Sequence, residues 1–358
     1  MIVYIILSIL VLGLFFIMKK SNDIENFVNY SKCSRMPVNK RLIEVFGKNN
    51  LNKSKDWNLF LPCGYTNVEK ELKNLSNINS NQKIFAVEGC DKIASKYWLW
   101  KVLEARYGNL YTNYFPKTYS SNKLGISKLL KNHREGNKYI AKKDIQRQTG
   151  LTIIHNIDRI KSVLSDNKNL VIQELLNNPF LVDKRKINFR IYFLITCKNN
   201  ITKGYIHDNG FMYYTPKYFS YNSNDKDAHI TTGYIDRKVY QKNPLTMEDF
   251  YKYLDKNGYS SKLLKHNLRN LFLNVMKAVK EPICKNKDLK KGLRFQIFGA
   301  DVAPDNLLNV KLIEINKGPD LGAKDKRDNL VKHSVVTDIF DIVGLVKKQQ
   351  ENKFIRVM

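Results

Sequence analysis

The sequence predicts an α+β fold with mostly antiparallel sheets and packed helices. Three observations lead to this fold class. Short apolar runs with period-two alternation recur from the middle of the chain onward, and they indicate strands. Several neighbouring runs are joined by only a few polar residues, which is typical of antiparallel hairpins. Strands and helices do not alternate regularly, so the chain shows no series of βαβ units and no doubly wound sheet.

The chain begins with a continuous apolar run. Residues Ile2 to Met18 are apolar apart from Ser8 and Gly13, and Lys19-Lys20 follow directly. This length is at the short end for a membrane span, and the basic flank favours a cytoplasmic location for the rest of the chain. We therefore expect one uncleaved N-terminal transmembrane helix over residues 1–20. A cleaved signal peptide is the alternative, although such a signal carries its basic residues before the apolar core.

Residues 21–80 are polar and rich in Asn and Lys, and we expect a tether followed by a small, poorly defined region. Beyond them the periodicity predicts strands at Ile84–Val87, Tyr139–Lys142, Leu151–Ile154, Leu170–Leu176, Asn188–Cys197, Ile201–His207, Gly210–Tyr214, Phe295–Val302 and Val310–Ile315. The segments 201–207 and 210–214 are expected to pair as a hairpin. Helical spacing predicts helices at Ile93–Tyr107, Met247–Lys256, Ser260–Val279 and Val335–Lys348.

The 358-residue chain carries a formal net charge of +28. Lys, Asn and Ile are abundant and have AT-rich codons, so mutational bias is one explanation of the excess. The functional explanation is attraction to an acidic partner, such as nucleic acid, an anionic membrane or an acidic polypeptide. The sequence has no zinc-finger spacing, no RNA-binding signature and no basic helix with heptads, which disfavours nucleic acid.

The cysteines are odd in number and widely dispersed, and they are Cys33, Cys63, Cys90, Cys197 and Cys284. No two of them have Cys-x-x-Cys spacing, which argues against a zinc site and against a disulfide framework. A reducing compartment fits this pattern best.

The run Leu312-Ile313-Glu314-Ile315-Asn316 carries the most specific chemical signal. As a strand it places Glu314 and Asn316 on one face, and Asp301 ends a preceding apolar run that could reach the same place. Two carboxylates and an amide are hard oxygen ligands of the type that suits Mg²⁺ carrying nucleotide phosphates. The alternative is that Glu314 is a solvated strand residue.

Two upstream strands end in residues suited to a nucleotide. Lys142 precedes a polar loop that runs to Gly150, so its ammonium could meet a phosphate while loop N–H groups close over the others. An ordinary basic hairpin is the alternative, and no Walker Gly-Lys-Ser/Thr is present. The strand end Gln173-Glu174-Leu175-Leu176 could form an adenine slot from backbone groups and apolar neighbours.

A further strand carries Lys186, Asn188 and Arg190 on one face, while apolar residues occupy the other face. Cations on an interior strand need a charged partner, because an unpaired buried charge is very costly. Structural carboxylates and a polyanionic ligand are the two candidate partners. His229 is ambiguous between orienting a substrate and lying in a structural turn, and Lys96 is expected to be a solvated helix residue.

In this order, the motifs resemble those of the tubulin–tyrosine ligase-like family, which belongs to the ATP-grasp superfamily. The resemblance covers roughly residues 81 to 345 and includes three further landmarks, which are Gly89-Cys-Asp91, Pro116-Lys-Thr118-Tyr119 and His229-Ile-Thr231-Thr232-Gly-Tyr234. Any one motif is weak, but the ordered set is fairly specific. The composition would suit a member from a large DNA virus or a protist.

The resemblance implies an ATP-grasp fold in which ATP and Mg²⁺ lie between two α+β lobes. It implies nucleotide-binding roles for Lys142, Gly150, Gln173, Glu174, Leu175, Leu176, Lys186 and Asn188. Asp301, Glu314 and Asn316 would hold the metal, and Arg190, Lys186 and Glu314 would be catalytic. The implied domains are a first lobe at 81–138, nucleotide-binding and catalytic lobes at 139–348, and a tail at 349–358.

The implied reaction is an ATP-dependent ligation that adds glutamate, glycine or tyrosine to a protein through an acyl phosphate. A free amino acid and an acidic protein, such as the C-terminal tails of tubulin, would be the partners. The enzyme would be anchored in a membrane, with its catalytic domain in the cytoplasm, or in the host cytoplasm if the protein is viral. A catalytically idle scaffold at a membrane, and a ligase acting on a non-tubulin peptide, are the alternatives.

Three departures from the family pattern affect the substrate side more than the nucleotide side. Asn188 stands where the family usually has Asp, and the usual Arg after the hairpin turn is replaced within Gly210-Phe-Met-Tyr-Tyr214. That Arg helps to bind the amino-acid substrate in family members. The loop at 143–150 has only Gly150 where relatives often have several glycines. The resemblance thus implies ATP use more firmly than it implies tubulin as the acceptor.

Overall fold

The structure, a computed structural model, describes residues 28–31, 36–64, 68–143, 150–160 and 169–358. The transmembrane helix expected at residues 1–20 lies outside these ranges. So does the tip of the Lys142 loop, residues 144–149. Within the described ranges, no helix has both the length and the apolar character that a membrane crossing requires.

The described part of the chain folds into two sheets with helices packed around them. The strands are β1 (Val28–Tyr30), β2 (Leu51–Lys53), β3 (Leu59–Phe60), β4 (Lys83–Ile84), β5 (Thr118–Ser120), β6 (Tyr139–Lys143), β7 (Leu151–Ile154), β8 (Asn169–Glu174), β9 (Leu181–Val182), β10 (Arg185–Lys198), β11 (Ile201–Tyr214), β12 (Leu293–Pro304), β13 (Val310–Asn316) and β14 (Phe354–Arg356). The α-helices are α1 (Met36–Phe46), α2 (Val68–Lys73), α3 (Cys90–Ala94), α4 (Lys96–Tyr107), α5 (Lys123–Asn132), α6 (Val239–Lys242), α7 (Met247–Lys256), α8 (Ser261–Val279) and α9 (Lys326–Ile342).

The larger sheet has the order β14-β11-β10-β12-β4-β3-β1-β2, with β13 paired to β12 and β9 paired to β10. Its centre is the antiparallel set β11, β10, β12 and β13. Helix α8 packs against this centre, and its Phe272 ring lies 5.1 Å from the ring of Phe193 on β10. Its buried residues Leu264, Leu268, Leu271, Phe272 and Val275 recur at helical spacing. The larger sheet therefore provides a rigid, fully packed base.

The smaller sheet has the order β5-β8-β6-β7 and is antiparallel throughout. It encloses its own small core, formed by Tyr119, Leu129, Tyr139, Ala141, Ile154, Ile160 and Ile172. Apolar alternation on β6 and β8 brings these side chains to one face, against which α5 packs through Leu129. Two lobes with separate cores thus face each other.

The hairpin predicted within residues 201–214 is wrong, because β11 is one continuous strand. The turn instead lies at Asn199 and Asn200, whose φ angles of 49° and 64° are typical of a tight hairpin turn between β10 and β11. Gly210, which suggested a break, serves close packing: a Cβ there would lie 2.2 Å from the carbonyl oxygen of Arg190. The glycine marked a close backbone approach rather than a turn.

The N-terminal residues extend the larger sheet in a way that the sequence did not indicate. Strands β1 to β3 continue from β4, and their pairings are parallel, so the sheet is mixed rather than uniformly antiparallel. Helix α1 carries Arg41, which is 2% exposed and donates through Nε and Nη2 to the Leu321 carbonyl at 2.9 and 2.8 Å. The described part of residues 21–80 is therefore structurally continuous with the rest of the protein.

The C-terminal elements also differ from their predicted bounds. Helix α9 begins at Lys326 and ends at Ile342, where the spacing predicted Val335–Lys348. Asp325 caps its start by accepting a hydrogen bond of 2.8 Å from the Asp328 amide, and Gly344 follows its end at φ 69°. Residues 349–358, expected as a tail, contain β14, which pairs with β11.

The prediction that the cysteines form no disulfide framework is wrong, because Cys63, Cys197 and Cys284 are disulfide-bonded among the described residues. Cys197, near the end of β10, is bonded to Cys284, which follows α8, and their Cα atoms are 6.2 Å apart. The two residues are separated by 87 positions in the sequence. Spacing rules cannot detect such a pair, because the fold and not the local chain brings the sulfur atoms together.

Candidate active site

A cleft of about 720 Å³, open to solvent, lies between the two sheets. One wall comes from β6 and β8 of the smaller sheet, and the other comes from β10, β12 and β13 of the larger sheet. The lining residues are Pro116, Ile140, Lys142, Leu151, Gln173, Glu174, Leu175, Leu176, Lys186, Asn188, His229, Ile230, Thr231, Asp301, Ile313 and Glu314.

Asp301 and Glu314 face each other across neighbouring strands. They are direct partners in the antiparallel register of β12 and β13, which places two carboxylates side by side. Asn316, two residues along the same face, donates through Nδ2 to Glu314 Oε1 at 3.2 Å. This is the carboxylate–carboxylate–amide arrangement that the alternation in the sequence indicated.

The two carboxylates differ in their protonation behaviour. Burial raises the pKa of Asp301 to about 6, with the Glu314 charge adding to the rise and Arg190 opposing it. Burial also acts to raise the pKa of Glu314, but Lys96, Lys142 and the hydrogen bond from Asn316 hold that pKa below its usual value. Asp301 therefore takes up a proton more readily than Glu314 as the pH falls, and a cation placed between the two would stabilise both as anions.

Arg190 is paired with Asp301. Its Nε lies 2.6 Å from Asp301 Oδ1 and its Nη2 lies 3.1 Å from Oδ2, a bidentate contact that follows from the β10–β12 register. The guanidinium also lies over the ring of Tyr213, 5.1 Å from its centre. Of the two partners that the sequence left open for this strand, a carboxylate and a polyanionic ligand, the structure shows the carboxylate at Arg190, which orients Asp301.

Lys142 and Lys186 project into the cleft from opposite sheets and are 5% and 7% exposed. Burial lowers the pKa of Lys142 to about 8, although Glu314 opposes the shift. Burial and the charge of Lys142 together lower the pKa of Lys186 to about 8. Within the described part of the chain, neither ammonium nitrogen has a hydrogen-bond or ion-pair partner. Such a pair would be strongly stabilised by an anion bound between the lysines.

The opposite end of the cleft is formed by the end of β8. Gln173 is buried, and Glu174, Leu175 and Leu176 are half-buried along the wall. Glu174 Oε1 lies 3.8 Å from Lys117 Nζ. Gln173 Oε1 and Asn188 Oδ1 are buried without a hydrogen-bond partner among the described residues. Unpaired buried acceptors in a cleft indicate donors on a missing ligand.

Most residues singled out from the sequence meet at this cleft, and three stand back from its wall. Arg190 and Asn316 contact the lining carboxylates from behind. Gly150 closes the β6–β7 loop, where its carbonyl accepts a hydrogen bond of 2.9 Å from the Lys143 amide. The functional assignments of all these residues remain predictions.

Two residues lie nearer to the site than the sequence indicated. Lys96, expected to be solvated, has a side chain only 12% exposed, and its Nζ lies 4.0 Å from Glu314 Oε2. His229, left open from the sequence, lines the cleft and contacts the Ser223 carbonyl through Nε2 at 2.8 Å. Lys96 gave no local signal, because its approach to Glu314 joins residues that are more than two hundred positions apart in the sequence.

The donor set fits a magnesium ion that is carried by phosphates. Among the described residues, no group of three or more His, Cys, Asp or Glu side chains could hold a metal by itself. Mg²⁺ typically binds through one or two carboxylates together with substrate phosphates and water. Glu314, Asp301 and the free Oδ1 of Asn316 would supply the protein oxygens, while Lys142 and Lys186 would balance the phosphate charge.

Comparison with known proteins gives a consistent family. A family model described as "Tubulin-tyrosine ligase family" matches residues 73–352. Mouse tubulin polyglutamylase TTLL6 is 22% identical over 349 residues, which cover 91% of this chain and 41% of the relative. Mouse tubulin polyglutamylase TTLL5 is 26% identical over 218 residues, 56% of this chain and 16% of the relative. Tubulin glycylase 3C of Tetrahymena thermophila is 26% identical over 226 residues, 58% and 21% respectively.

This chain spans less than half of the length of each of these relatives. The family match, in contrast, takes in the smaller sheet, the central strands of the larger sheet and thus the strands that carry Lys142, Lys186, Asp301 and Glu314. Because the matched residues make up well over half of the chain, the protein belongs to the tubulin-tyrosine ligase family.

Proposed function

We propose that this protein is an ATP-dependent ligase that joins an amino acid to an acidic protein by an amide bond. The observation that carries the proposal is that one cleft brings together two buried lysines, which have no hydrogen-bond or ion-pair partner among the described residues, and a pair of carboxylates. That arrangement suits a polyphosphate with a divalent ion at its end. The names of the relatives, which are polyglutamylases and a glycylase of tubulin, support amino-acid ligation.

Bound Mg-ATP would supply the phosphoryl group that activates a carboxylate, as an acyl phosphate, for attack by an amine. The residues of this chain would position and neutralise charge. Lys142 and Lys186 would hold phosphate oxygens, and Glu314, Asp301 and Asn316 would hold the metal. Arg190 would keep Asp301 oriented and ionised. No protein nucleophile is required, because charge neutralisation and alignment account for most of such catalysis.

We propose an acidic tail of tubulin as the acceptor and glutamate or glycine as the added amino acid. The net charge of +28 would speed the encounter with an acidic tail in a salt-sensitive manner. The printed functions of the relatives motivate tubulin, glutamate and glycine as the first substrates to test.

The test is incorporation of labelled glutamate, glycine or tyrosine into tubulin by the purified full-length chain, with and without ATP and Mg²⁺. We expect incorporation that requires both. Lys186→Met should reduce it about 10²-fold, because a buried charge that meets the phosphates is lost. Lys252→Met, at a lysine whose side chain is 74% exposed, is the matched control and should behave like the wild type.

Two negative results have distinct meanings. Tight Mg-ATP binding without turnover on any acceptor would favour an idle scaffold, whose motivation is the replacement of the substrate-side Arg within residues 210–214. No ATP binding at all would contradict the proposed function.

A further inference from the structure

The part of the cleft formed by the end of β8, with Gln173, Leu175 and Leu176, is called the base end here. It contains a cross-strand pair of residues joined by one hydrogen bond, and the direction of that bond can be determined. Thr118 on β5 and Gln173 on β8 are direct partners in the antiparallel register, so their side chains lie on the same face. Both are buried, with 3% and 2% of their surface exposed. Gln173 Nε2 donates to Thr118 Oγ1 at 3.0 Å.

The direction of this hydrogen bond follows from counting protons. Thr118 Oγ1 lies 2.7 Å from the carbonyl oxygen of Pro116, which can only accept. The single hydroxyl proton of Thr118 is therefore committed to Pro116. The same oxygen can then only accept from Gln173, which must turn its NH₂ group toward Thr118.

This orientation decides what the amide presents to a ligand. With Nε2 turned to Thr118, the other amide atom is Oε1, which is buried and has no partner among the described residues. Gln173 lines the cleft beside Pro116 and the apolar pair Leu175 and Leu176. A carbonyl oxygen is an acceptor only, so this end of the cleft favours a ligand that carries a donor.

The backbone of Thr118 is itself held in place. Its amide donates to the Tyr111 hydroxyl at 2.9 Å, and that hydroxyl donates back to the Thr118 carbonyl at 3.3 Å. Burial raises the pKa of Tyr111 to about 12, so the phenol remains a neutral donor at physiological pH. The threonine hydroxyl therefore has a fixed position from which to orient Gln173.

We propose that Thr118 is a positioning residue that locks the Gln173 amide, so that the cleft selects a purine with a 6-amino group over one with a 6-oxo group. The proposal rests on the proposed function, because it assumes that the cleft binds a nucleoside triphosphate. Thr118, which does not itself line the cleft, would thereby determine which base the cleft prefers. A 6-oxo group would bring a second acceptor against Gln173 Oε1.

The experiment compares the equilibrium binding of ATP and ITP to the full-length chain in the presence of Mg²⁺. These nucleotides differ at position 6 of the base, where ATP carries an amino group and ITP an oxo group. We expect the wild type to bind ATP at least about tenfold more tightly. Thr118→Val removes the hydroxyl at nearly constant volume and lets the amide turn over. The ratio should then fall toward one, mainly through tighter ITP binding.

Two further variants separate orientation from packing. Thr118→Ser keeps the hydroxyl and should restore the wild-type ratio, a rescue that a purely structural role would not require. Thr196→Val, at a buried strand threonine of β10 remote from the base end, is the matched control and should leave the ratio unchanged. If Thr118→Val fails to fold, Gln173→Met serves instead, and it should weaken ATP binding to the level of ITP.

The outcomes distinguish this inference from the proposed function. Equal binding of ATP and ITP by the wild type, or an unchanged ratio in Thr118→Val, would overturn the role of Thr118 and leave the ligase intact. Failure of the wild type to bind either nucleotide would overturn both.

Discussion

The two ends of the cleft are built on opposite physical principles. At the phosphate end, Lys186, Asp301 and Glu314 project from adjacent strands of the larger sheet, and Lys142 reaches across from the smaller one. All four are ionisable; the two lysines are buried and the two carboxylates are partly buried. At the base end, the smaller sheet presents the buried, neutral amide of Gln173, which is oriented by its hydrogen bond to Thr118. One end is organised by charge and the other by the direction of a few donors and acceptors.

The contrast between the two ends separates the source of nucleotide affinity from the source of base selectivity. Buried charges act strongly but respond to any phosphate, since every nucleoside triphosphate carries the same groups. A single oriented amide contributes less free energy but depends on the identity of the base. Variants at the phosphate end should therefore affect all nucleotides alike, whereas Thr118 variants should affect bases differently.

The largest expected effect is that of Glu314→Gln. Loss of this carboxylate removes the member of the metal pair whose pKa is held below its usual value, and removes an anion 4.0 Å from Lys96. We expect Mg²⁺-dependent ATP turnover to fall about 10²–10³-fold, for ATP and ITP equally. Glu248→Gln, on the solvent side of α7, is the matched control. A Glu314→Gln protein that turns over ATP at the wild-type rate would contradict the assignment of the metal end.

The next effect is a pH dependence that should appear only at the phosphate end. Lys142 and Lys186 have pKa values of about 8 in the free protein, and each must be protonated to meet a phosphate. Above pH 8, nucleotide affinity should fall by up to about tenfold per pH unit for each lysine. The ratio of ATP to ITP affinity should stay constant, because Thr118 and Gln173 do not titrate. Calorimetry at several pH values measures both quantities.

For the same lysines, the free energy of unfolding of the nucleotide-free protein should change with pH in the opposite direction to nucleotide affinity. Their folded pKa lies below the ordinary value of 10.5, so between pH 8 and 10.5 the unfolded chain binds more protons than the folded protein. Their contribution to the free energy of unfolding therefore increases with pH over this window while nucleotide affinity falls. Lys186→Met should flatten both curves. Parallel trends in the wild type would refute the view that these lysines are uncompensated cations.

The smallest effect is expected from Leu176→Ala at the base end. The side chain is half-buried on the cleft wall, and a bound base would cover it. Truncation should weaken ATP and ITP about fivefold each through lost apolar contact. Leu263→Ala, at a residue of α8 that is 44% exposed, is the control. A change in the ratio of the two affinities would show that packing, and not only the amide of Gln173, reads the base.

Particular residues show why some of the site could be read from the chain. Alternation in residues 312–316 set the faces of Glu314 and Asn316, because successive side chains of a strand point in opposite directions. The same rule put Lys186, Asn188 and Arg190 on one face. Their contacts could not be read in this way. That Arg190 is paired with Asp301 follows from a register between strands more than a hundred residues apart in the sequence.

The bounds of the helices and strands divide in the same way, into those that local sequence predicts and those that depend on contacts between distant segments. The prediction of α7 was correct, and its start is marked by the Thr246 and Asp249 capping pair. The hairpin predicted within β11 was wrong because Gly210 allows close contact with β10, a reason that is invisible without the neighbouring strand. The disulfide between Cys197 and Cys284 was missed on the same ground.

Local sequence was enough for the α+β class, for the strands that carry the charged residues and for the face that Glu314 shares with Asn316. These are local properties, fixed by periodicity and residue chemistry. Only the tertiary structure decided that the two sheets face each other across one cleft, that Lys96 approaches Glu314, and that Thr118 orients Gln173. Each of these depends on strand register or on packing between distant segments. Such contacts cannot be inferred from the residues next to a side chain in the sequence.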